Sequence, residues 1–185
     1  GGMKNLVGNF YPPNQILVDP VFIETLGREA VVSGLAEAVK ICFARGYSQF
    51  EEYVSSSASV TPANNDETSD LITHTLMCKK WFIEIDEFDK KERKLLNFGH
   101  SFGHAIESLT NYKIPHGIAV SFGMDIANFI SVKLGYIDES IRNDIRELLS
   151  QIWYGYSIKD LSTEKMVTAL SKDKKNVGNK LGLIL

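Results

Sequence analysis

The spacing of apolar residues along the chain predicts a mainly α-helical domain. Through most of the sequence, apolar positions recur every three or four residues, which is the repeat of one helix face. The segment 116–135 is apolar almost throughout, so we expect it to be central and buried. The helices predicted in this way span 19–27, 28–46, 48–56, 66–86, 116–135, 138–153 and 162–173.

Both ends of the chain carry short strand-like patterns. The sequence "QILVD" at 15–19 follows a proline-containing loop, and "KLGLIL" at 180–185 ends the chain. These segments are expected to be short strands of a sheet whose other strands lie elsewhere, so the chain is expected to be a fragment of a larger protein. Residues 1–3 are interpreted as a cloning remnant, and 4–185 as one helical domain.

The composition is that of a soluble globular domain. Of 185 residues, 44% are hydrophobic and 23% charged, and the net charge of −3 argues against nucleic-acid or anionic-membrane partners. No apolar run approaches the roughly 20 residues that span a bilayer, and the N-terminus lacks the apolar core of a signal peptide. A cytoplasmic location is therefore expected. Cys42 and Cys78 lie in helical apolar patterns and are predicted to be buried, reduced thiols.

A cluster of histidines is the strongest chemical signal. Three of the four histidines fall within seventeen residues, between His100 and His116. His100 and His104 are four residues apart, so they share one face of any helix that contains both. Such a pair either packs near a core or binds a ligand jointly. His74 lies outside the cluster and is given no role.

The surroundings of the cluster favour a binding site. Glycine stands at positions 99, 103 and 117, where a helix prefers larger residues, and it is tolerated if another backbone or a ligand approaches closely. Arg93 and Asn97 precede His100 at a junction where a helix N-terminus would suit an anion. Glu37 and Lys40 form a charged pair within an apolar helix, and its burial without partners would be costly.

Two neutral imidazoles and one carboxylate are the ligand set of a catalytic divalent-metal site. Zinc fits this set best, with positions left open for substrate oxygen, and cobalt or iron is also compatible. The commoner structural zinc site uses four thiolates, and the chain has two cysteines. Spacing alone does not join Glu37 to the histidines, because it lies far from them in sequence.

Six motifs, in order, resemble the C-terminal part of the 3-dehydroquinate synthase family. The similarity runs from about Lys4 to the end, and "LNFGHSFGHAIE…HG" is its most specific element. It implies a multi-helix metal- and substrate-binding domain. The family's N-terminal α/β NAD-binding domain is expected to be absent, since no G-x-G-x-x-G occurs in this chain. The motifs are "KNLVGNFYPP", "SGLAEAVK", "CKKWFIEIDE", "ERKLLNFGHSFGHAIE", "HGIAVSFGM" and "DKKNVG".

The resemblance also implies an activity. The family cyclises 3-deoxy-D-arabino-heptulosonate 7-phosphate to 3-dehydroquinate in the shikimate pathway, with bound NAD and a divalent metal, zinc or cobalt. A substrate hydroxyl is oxidised transiently to a ketone, phosphate leaves, the hydride returns, and an aldol-like step closes the ring. The chain alone is expected to be inactive, and the full-length enzyme is expected to be a homodimer.

Site residues follow from the resemblance by position. It implies that Glu37, His100 and His116 bind the metal, and that His104 serves the phosphate side of the substrate. The other implied residues are Lys40 and Lys79 for substrate hydroxyls or carboxylate, Arg93 for the carboxylate, Asn97 and Asn5 for phosphate, Lys4 at the substrate–cofactor boundary, and Lys174 or Lys175 closing over the phosphate.

Two departures and three alternatives accompany this interpretation. Ile118 stands where the family generally has glutamate, and Asp89 where it often has glutamate. The alternatives are another sugar phosphate cyclase such as 2-deoxy-scyllo-inosose synthase, a metal-dependent polyol dehydrogenase, and a helical dimerisation module without activity. Arg93 favours dehydroquinate synthase, because a guanidinium in that place suits a substrate with a carboxylate.

Overall fold

Seven α-helices and two short 3-10 helices form the regular structure of the described residues. The computed structural model describes residues 11, 13–57, 65–171 and 182–185. The α-helices are α1 (Arg28–Arg45), α2 (Tyr47–Ser57), α3 (Asn65–Ile85), α4 (His100–Leu109), α5 (His116–Lys133), α6 (Glu139–Ile152) and α7 (Thr163–Ser171). The 3-10 helices span Pro20–Thr25 and Glu92–Asn97.

The prediction of a mainly helical fold is confirmed, with local differences. Each predicted helix is present, although 19–27 forms a 3-10 helix at Pro20–Thr25, where Asp19 accepts a hydrogen bond from the Val21 N–H. The second 3-10 helix begins at the end of the polar connector, where the apolar repeat predicted no helix. The histidine segment forms the separate helix α4.

The predicted terminal strands are wrong for the described residues of both segments. Neither 15–19 nor 182–185 forms a strand, and residues 180–181 lie outside the described residues. A strand requires a neighbouring backbone to complete its hydrogen bonds, and the described residues contain none in extended pairing. Leu17 is accordingly 88% exposed. Leu183, Ile184 and Leu185 pack against the helical core instead.

Helix α5 is the central element and contacts α1, α4 and α6. Of the nine residues that follow His116, all but the last are buried, as the continuous apolar pattern predicted. Ile118, Val120 and Met124 lie in the core and have almost no exposed surface. Because α5 is surrounded on several sides, its neighbours are fixed relative to one another through it.

Helices α4 and α5 approach so closely that their backbones touch at glycines. A Cβ on Gly103 would lie 2.9 Å from Val120 Cα, and one on Gly123 would collide with Gly99 O. Gly99 also has φ of 74°, which glycine adopts without strain. Gly117 meets Ser33 of α1 in the same manner. The glycines at 99, 103 and 117 therefore accommodate neighbouring backbone.

The two cysteines are free and buried, as predicted. Burial raises the pKa of both thiols, that of Cys42 to about 12, with the neighbouring Cys78 adding to the effect at Cys42. In the part of the chain that the structure describes, no helix combines the length and apolar character needed to cross a bilayer.

We expect Gly123→Ala to destabilise the fold by roughly 1–3 kcal/mol, because the added methyl group forces α4 and α5 apart. The matched control is Gly34→Ala in the interior of α1, where nothing lies within 4 Å of the new Cβ. This control should gain about 0.5–1 kcal/mol from reduced backbone entropy in the unfolded chain. Urea unfolding followed by circular dichroism measures both, and equal stabilities of the two variants would contradict the close contact.

Candidate functional site

Three helices bring Glu37, His100 and His116 together. Glu37 lies in the third turn of α1, whereas His100 and His116 are the first residues of α4 and α5. Glu37 Oε1 is 3.9 Å from His100 Nε2 and 3.8 Å from His116 Nε2. The close packing of α4 on α5 places the two imidazoles side by side, with ring centroids 5.4 Å apart. We call these three residues the Glu–His–His cluster.

Hydrogen bonds to the far side of each ring set the orientation of the two imidazoles. His100 Nδ1 is 3.2 Å from the carbonyl oxygen of Phe98, and His116 Nδ1 is 3.2 Å from Glu107 Oε2. A carbonyl and a carboxylate oxygen accept, so Nδ1 carries the proton in both rings. In the neutral form of each ring, Nε2 is then left with a lone pair, on the side where Glu37 lies.

Glu37 and Lys40 form a tight pair that leaves one carboxylate oxygen unused. Lys40 Nζ donates to Glu37 Oε2 at 2.6 Å, and the lysine is 3% exposed. Burial alone raises the pKa of Glu37, but the charge and hydrogen bond of Lys40 outweigh it and lower that pKa below its ordinary value. The Glu37 side chain keeps 35% of its surface, yet Oε1 is buried and accepts no hydrogen bond from the described residues. A buried, ionised oxygen without a donor is costly unless a cation occupies the gap.

His100 is held in the neutral state that a metal ligand requires. Burial, and next the positive charge of Lys40, lower the pKa of His100 to about 4. The His100 side chain is 13% exposed and that of His116 38% exposed, so the cluster opens to solvent on the His116 side. The arrangement has three convergent donors and an open side, as catalytic metal sites do.

His104 lies one turn after His100 and borders the same open side. Its ring centroid is 5.4 Å from that of His100 and 5.8 Å from that of His116. His104 is exposed and lines a groove of about 640 Å³ between α4 and α7, to which Ser162 and Lys165 also contribute. His104 therefore lies between the Glu–His–His cluster and this groove.

Asp86, which sequence reasoning missed, organises the connector that carries Arg93. Its carboxylate accepts the backbone N–H groups of Lys90 at 2.9 Å, Lys91 at 2.6 Å and Arg93 at 3.1 Å. Burial alone raises the pKa of Asp86, but these three hydrogen bonds outweigh it and lower the pKa. An aspartate directly after a helix and before a polar connector is the available sequence signal. Asp89, in the same connector, has φ of 54°, which a short polar side chain tolerates.

The remaining predicted site residues are not brought to the cluster by any recorded contact. Arg93 is half-buried and donates from Nη1 to the Glu87 carbonyl at 2.7 Å. Lys79 is exposed on α3, and Asn97 is half-buried at the end of its 3-10 helix. Ile118, at the position of the family's glutamate, is 1% exposed in the core. Lys4, Asn5, Lys174 and Lys175 lie outside the described residues.

Fold and site together define a helical domain with a carboxylate and two imidazoles at the meeting point of three helices. The family model described as 3-dehydroquinate synthase C-terminal matches residues 34–176, and the chain belongs to this family. The resemblance found in the sequence is thereby confirmed.

Curated relatives named 3-dehydroquinate synthase match nearly the whole chain. The protein from Dictyoglomus turgidum (strain DSM 6724 / Z-1310) is 36% identical over 184 residues, which are 98% of this chain and 51% of the relative. The protein from Clostridium beijerinckii (strain ATCC 51743 / NCIMB 8052) is 37% identical over 183 residues, 98% of this chain and 52% of the relative. The chain thus spans about half the length of the curated relatives it matches.

We expect Asp86→Asn to lower the free energy of unfolding at neutral pH, because an amide accepts the three N–H groups less well than a carboxylate does. The folded-state pKa of Asp86 lies below the unfolded-state value. Its contribution is therefore present above the unfolded-state pKa, roughly 4, and is lost as the pH falls toward the folded-state pKa. Urea unfolding at a series of pH values should show the gap to wild type narrowing below about pH 4.

The matched control is Asp89→Asn in the same connector, where asparagine also tolerates a positive φ. This variant should stay close to wild type at neutral pH. A gap for Asp86→Asn that does not change with pH would contradict the role given to its carboxylate.

Proposed function

We propose that this chain is the metal- and substrate-binding part of a 3-dehydroquinate synthase. The reaction is the cyclisation of 3-deoxy-D-arabino-heptulosonate 7-phosphate to 3-dehydroquinate with elimination of phosphate, using NAD and a divalent metal, zinc or cobalt. The observation that carries the proposal is the buried, unpartnered Glu37 Oε1 within 3.9 Å of the Nε2 atoms of both histidines. Membership of the family supports the choice of reaction.

The residues present fit a divalent cation. Glu37, His100 and His116 supply one oxygen and two nitrogen donors, all within 4.8 Å of one another. The Phe98 carbonyl and the Glu107 carboxylate fix the ring orientations from behind, as outer hydrogen-bond partners do in metal sites. When bound, the metal supplies a Lewis acid for a substrate hydroxyl, and NAD supplies reversible hydride transfer.

The surrounding groups are assigned to the substrate. Lys40 Nζ keeps Glu37 ionised and is assigned to a substrate hydroxyl or carboxylate. Arg93 binds the carboxylate with its planar guanidinium, in exchange for the contact to the Glu87 carbonyl. His104 lies in the groove beside the cluster and serves the phosphate, where a proton on its ring offsets the charge of the leaving group. Lys79, Asn97, Lys4, Asn5 and one of Lys174 and Lys175 complete the proposed substrate contacts.

The other parts of the proposal concern the whole enzyme. We place NAD binding mainly in the half of the curated relatives that this chain does not span. This chain alone is therefore expected to release no phosphate from the heptulosonate phosphate. A homodimeric enzyme and a cytoplasmic location remain predictions.

The function is tested in a two-domain protein in which this chain follows the half of the Dictyoglomus turgidum relative that it does not span, where we place NAD binding. Phosphate release from the heptulosonate phosphate should require both NAD and the divalent metal. Arg93→Lys should lower kcat/KM by about tenfold or more, because it removes a bidentate contact to the carboxylate. The control Lys80→Arg changes a lysine paired with Glu84 and should have no effect. Equal turnover of a sugar phosphate without a carboxylate would favour another cyclase.

Glu107→Gln tests the metal proposal without an activity assay. The amide no longer offers a charged acceptor to His116 Nδ1, so zinc affinity should fall by about 10–100-fold. The control Glu147→Gln, on the exposed face of α6, should bind as wild type. Competition titration with a chromophoric chelator measures both, and Glu37→Ala marks the complete loss of this site. Wild-type affinity in Glu107→Gln would show that the carboxylate does not orient the ligand.

A further inference from the structure

A second group of metal-binding side chains lies between α1, α2 and α3. The Sγ atoms of Cys42 and Cys78 and one ring nitrogen of His74 are all within 4.8 Å of one another. Cys42 has no exposed surface, Cys78 is 4% exposed, and His74 is half-buried. We propose that Cys42, His74 and Cys78 form a second, closed metal site with thiolate ligands, and that it takes Zn²⁺.

This Cys–His–Cys cluster is separate from the Glu–His–His cluster, although both use α1. Glu37 and Cys42 are five residues apart, which places them about 140° apart around the helix. Glu37 faces the N-termini of α4 and α5, whereas Cys42 faces Thr75 of α3, with their side chains 3.9 Å apart. Metal at one cluster therefore shares no ligand with metal at the other.

The geometry is near that of a tetrahedral zinc site. Bond lengths of about 2.3 Å to sulfur and 2.0–2.1 Å to nitrogen set ligand atoms about 3.5–3.8 Å apart. Cys78 Sγ and His74 Nε2 are already 3.9 Å apart, and no pair in the cluster exceeds 4.8 Å. Closure requires movements of at most about 1 Å, which side-chain rotation provides.

His74 has the outer contact expected of a ligating imidazole. Its Nδ1 is 3.5 Å from Glu52 Oε1, so in the tautomer that would bind metal the Nδ1 proton faces a carboxylate and Nε2 is left with its lone pair toward the sulfurs. In the structure, Nε2 is 3.2 Å from the Gln49 carbonyl, which accepts its proton; metal binding would move that proton to Nδ1 and give up this contact. The Gln49 side-chain oxygen is 3.6 Å from Cys78 Sγ and lies where it or a water can complete the fourth position.

The charges of the cluster suit a divalent cation. Two thiolates balance Zn²⁺, and the two thiol protons are released to solvent on binding. Of the charged groups nearby, Glu52 approaches His74 and Arg45 lies over the Trp81 ring. The site joins side chains of α1 and α3 and borders α2, so bound zinc would hold these three helices together.

The proposal is tested with Co²⁺ added to the reduced chain under a phosphine reductant. A thiolate ligand gives a strong near-ultraviolet charge-transfer band with Co²⁺, and the Glu–His–His cluster, without sulfur, gives none. We expect the band in wild type and in Glu37→Ala, at one such ion per chain, and its loss on adding Zn²⁺. Cys42→Ser and Cys78→Ser should each lose most of the band.

His74→Ala is added because the two cysteine variants could fail to fold. His74 is only half-buried, and its replacement leaves both thiols in place. With unchanged helical circular dichroism, this variant should bind Co²⁺ at least tenfold more weakly. No band in reduced wild type, or a band that persists in Cys78→Ser, would overturn the proposal. A band that disappears only in Glu37→Ala would also overturn it. If the thiolate band is present but the Glu–His–His cluster binds no metal, the result supports this proposal and counts against the proposed function.

Discussion

The backbone contact between α4 and α5 is the constraint on which the site depends. Both histidines of the Glu–His–His cluster are first residues of their helices, so their separation is set by how closely the two helix starts approach. Side chains larger than hydrogen at 99, 103 or 123 would prevent that approach. The glycines therefore contribute to the chemistry indirectly, because they determine where two imidazoles lie without contacting a ligand.

One buried ammonium group then sets the charge of the site. Burial raises the pKa of Glu37 and lowers that of His100, and the charge of Lys40 lowers both, because a nearby positive charge favours the deprotonated form of each. A cation needs an anionic carboxylate and a neutral imidazole at the same pH, and the single lysine favours both states. The lysine is itself kept buried by its bond to Glu37 Oε2. The ion pair between Lys40 and Glu37 therefore offsets the desolvation cost that is expected for two charged residues in an apolar helix.

Local patterns in the sequence predicted local features well and distant ones poorly. The three- and four-residue repeat identified the helices, and the i, i+4 spacing placed His100 and His104 on one face. Nothing local joins Glu37 to His100, since 63 positions separate them, and only the family resemblance linked them. The terminal strands were mispredicted because apolar β-branched residues indicate strand propensity but not whether a partner strand exists. The Cys–His–Cys cluster was missed for a related reason: His74 and Cys78 share a helix face, but Cys42 reaches them only through the packing of α1 on α3.

The two clusters on α1 differ in how far their side chains are buried, and this difference suits them to different roles. Glu37 and His116 keep 35% and 38% of their side-chain surface, so a ligand held there can still meet solvent and substrate. The thiols at 42 and 78 are almost completely enclosed, which leaves little room for anything larger than an ion and one small ligand. Oxygen and nitrogen donors with an open side suit reaction, whereas enclosed sulfur donors suit structural binding. Helix α1 contributes a residue to both clusters and contacts α3 and α5. Metal bound at the Cys–His–Cys cluster would therefore influence the Glu–His–His cluster by fixing the position of α1 relative to these two helices.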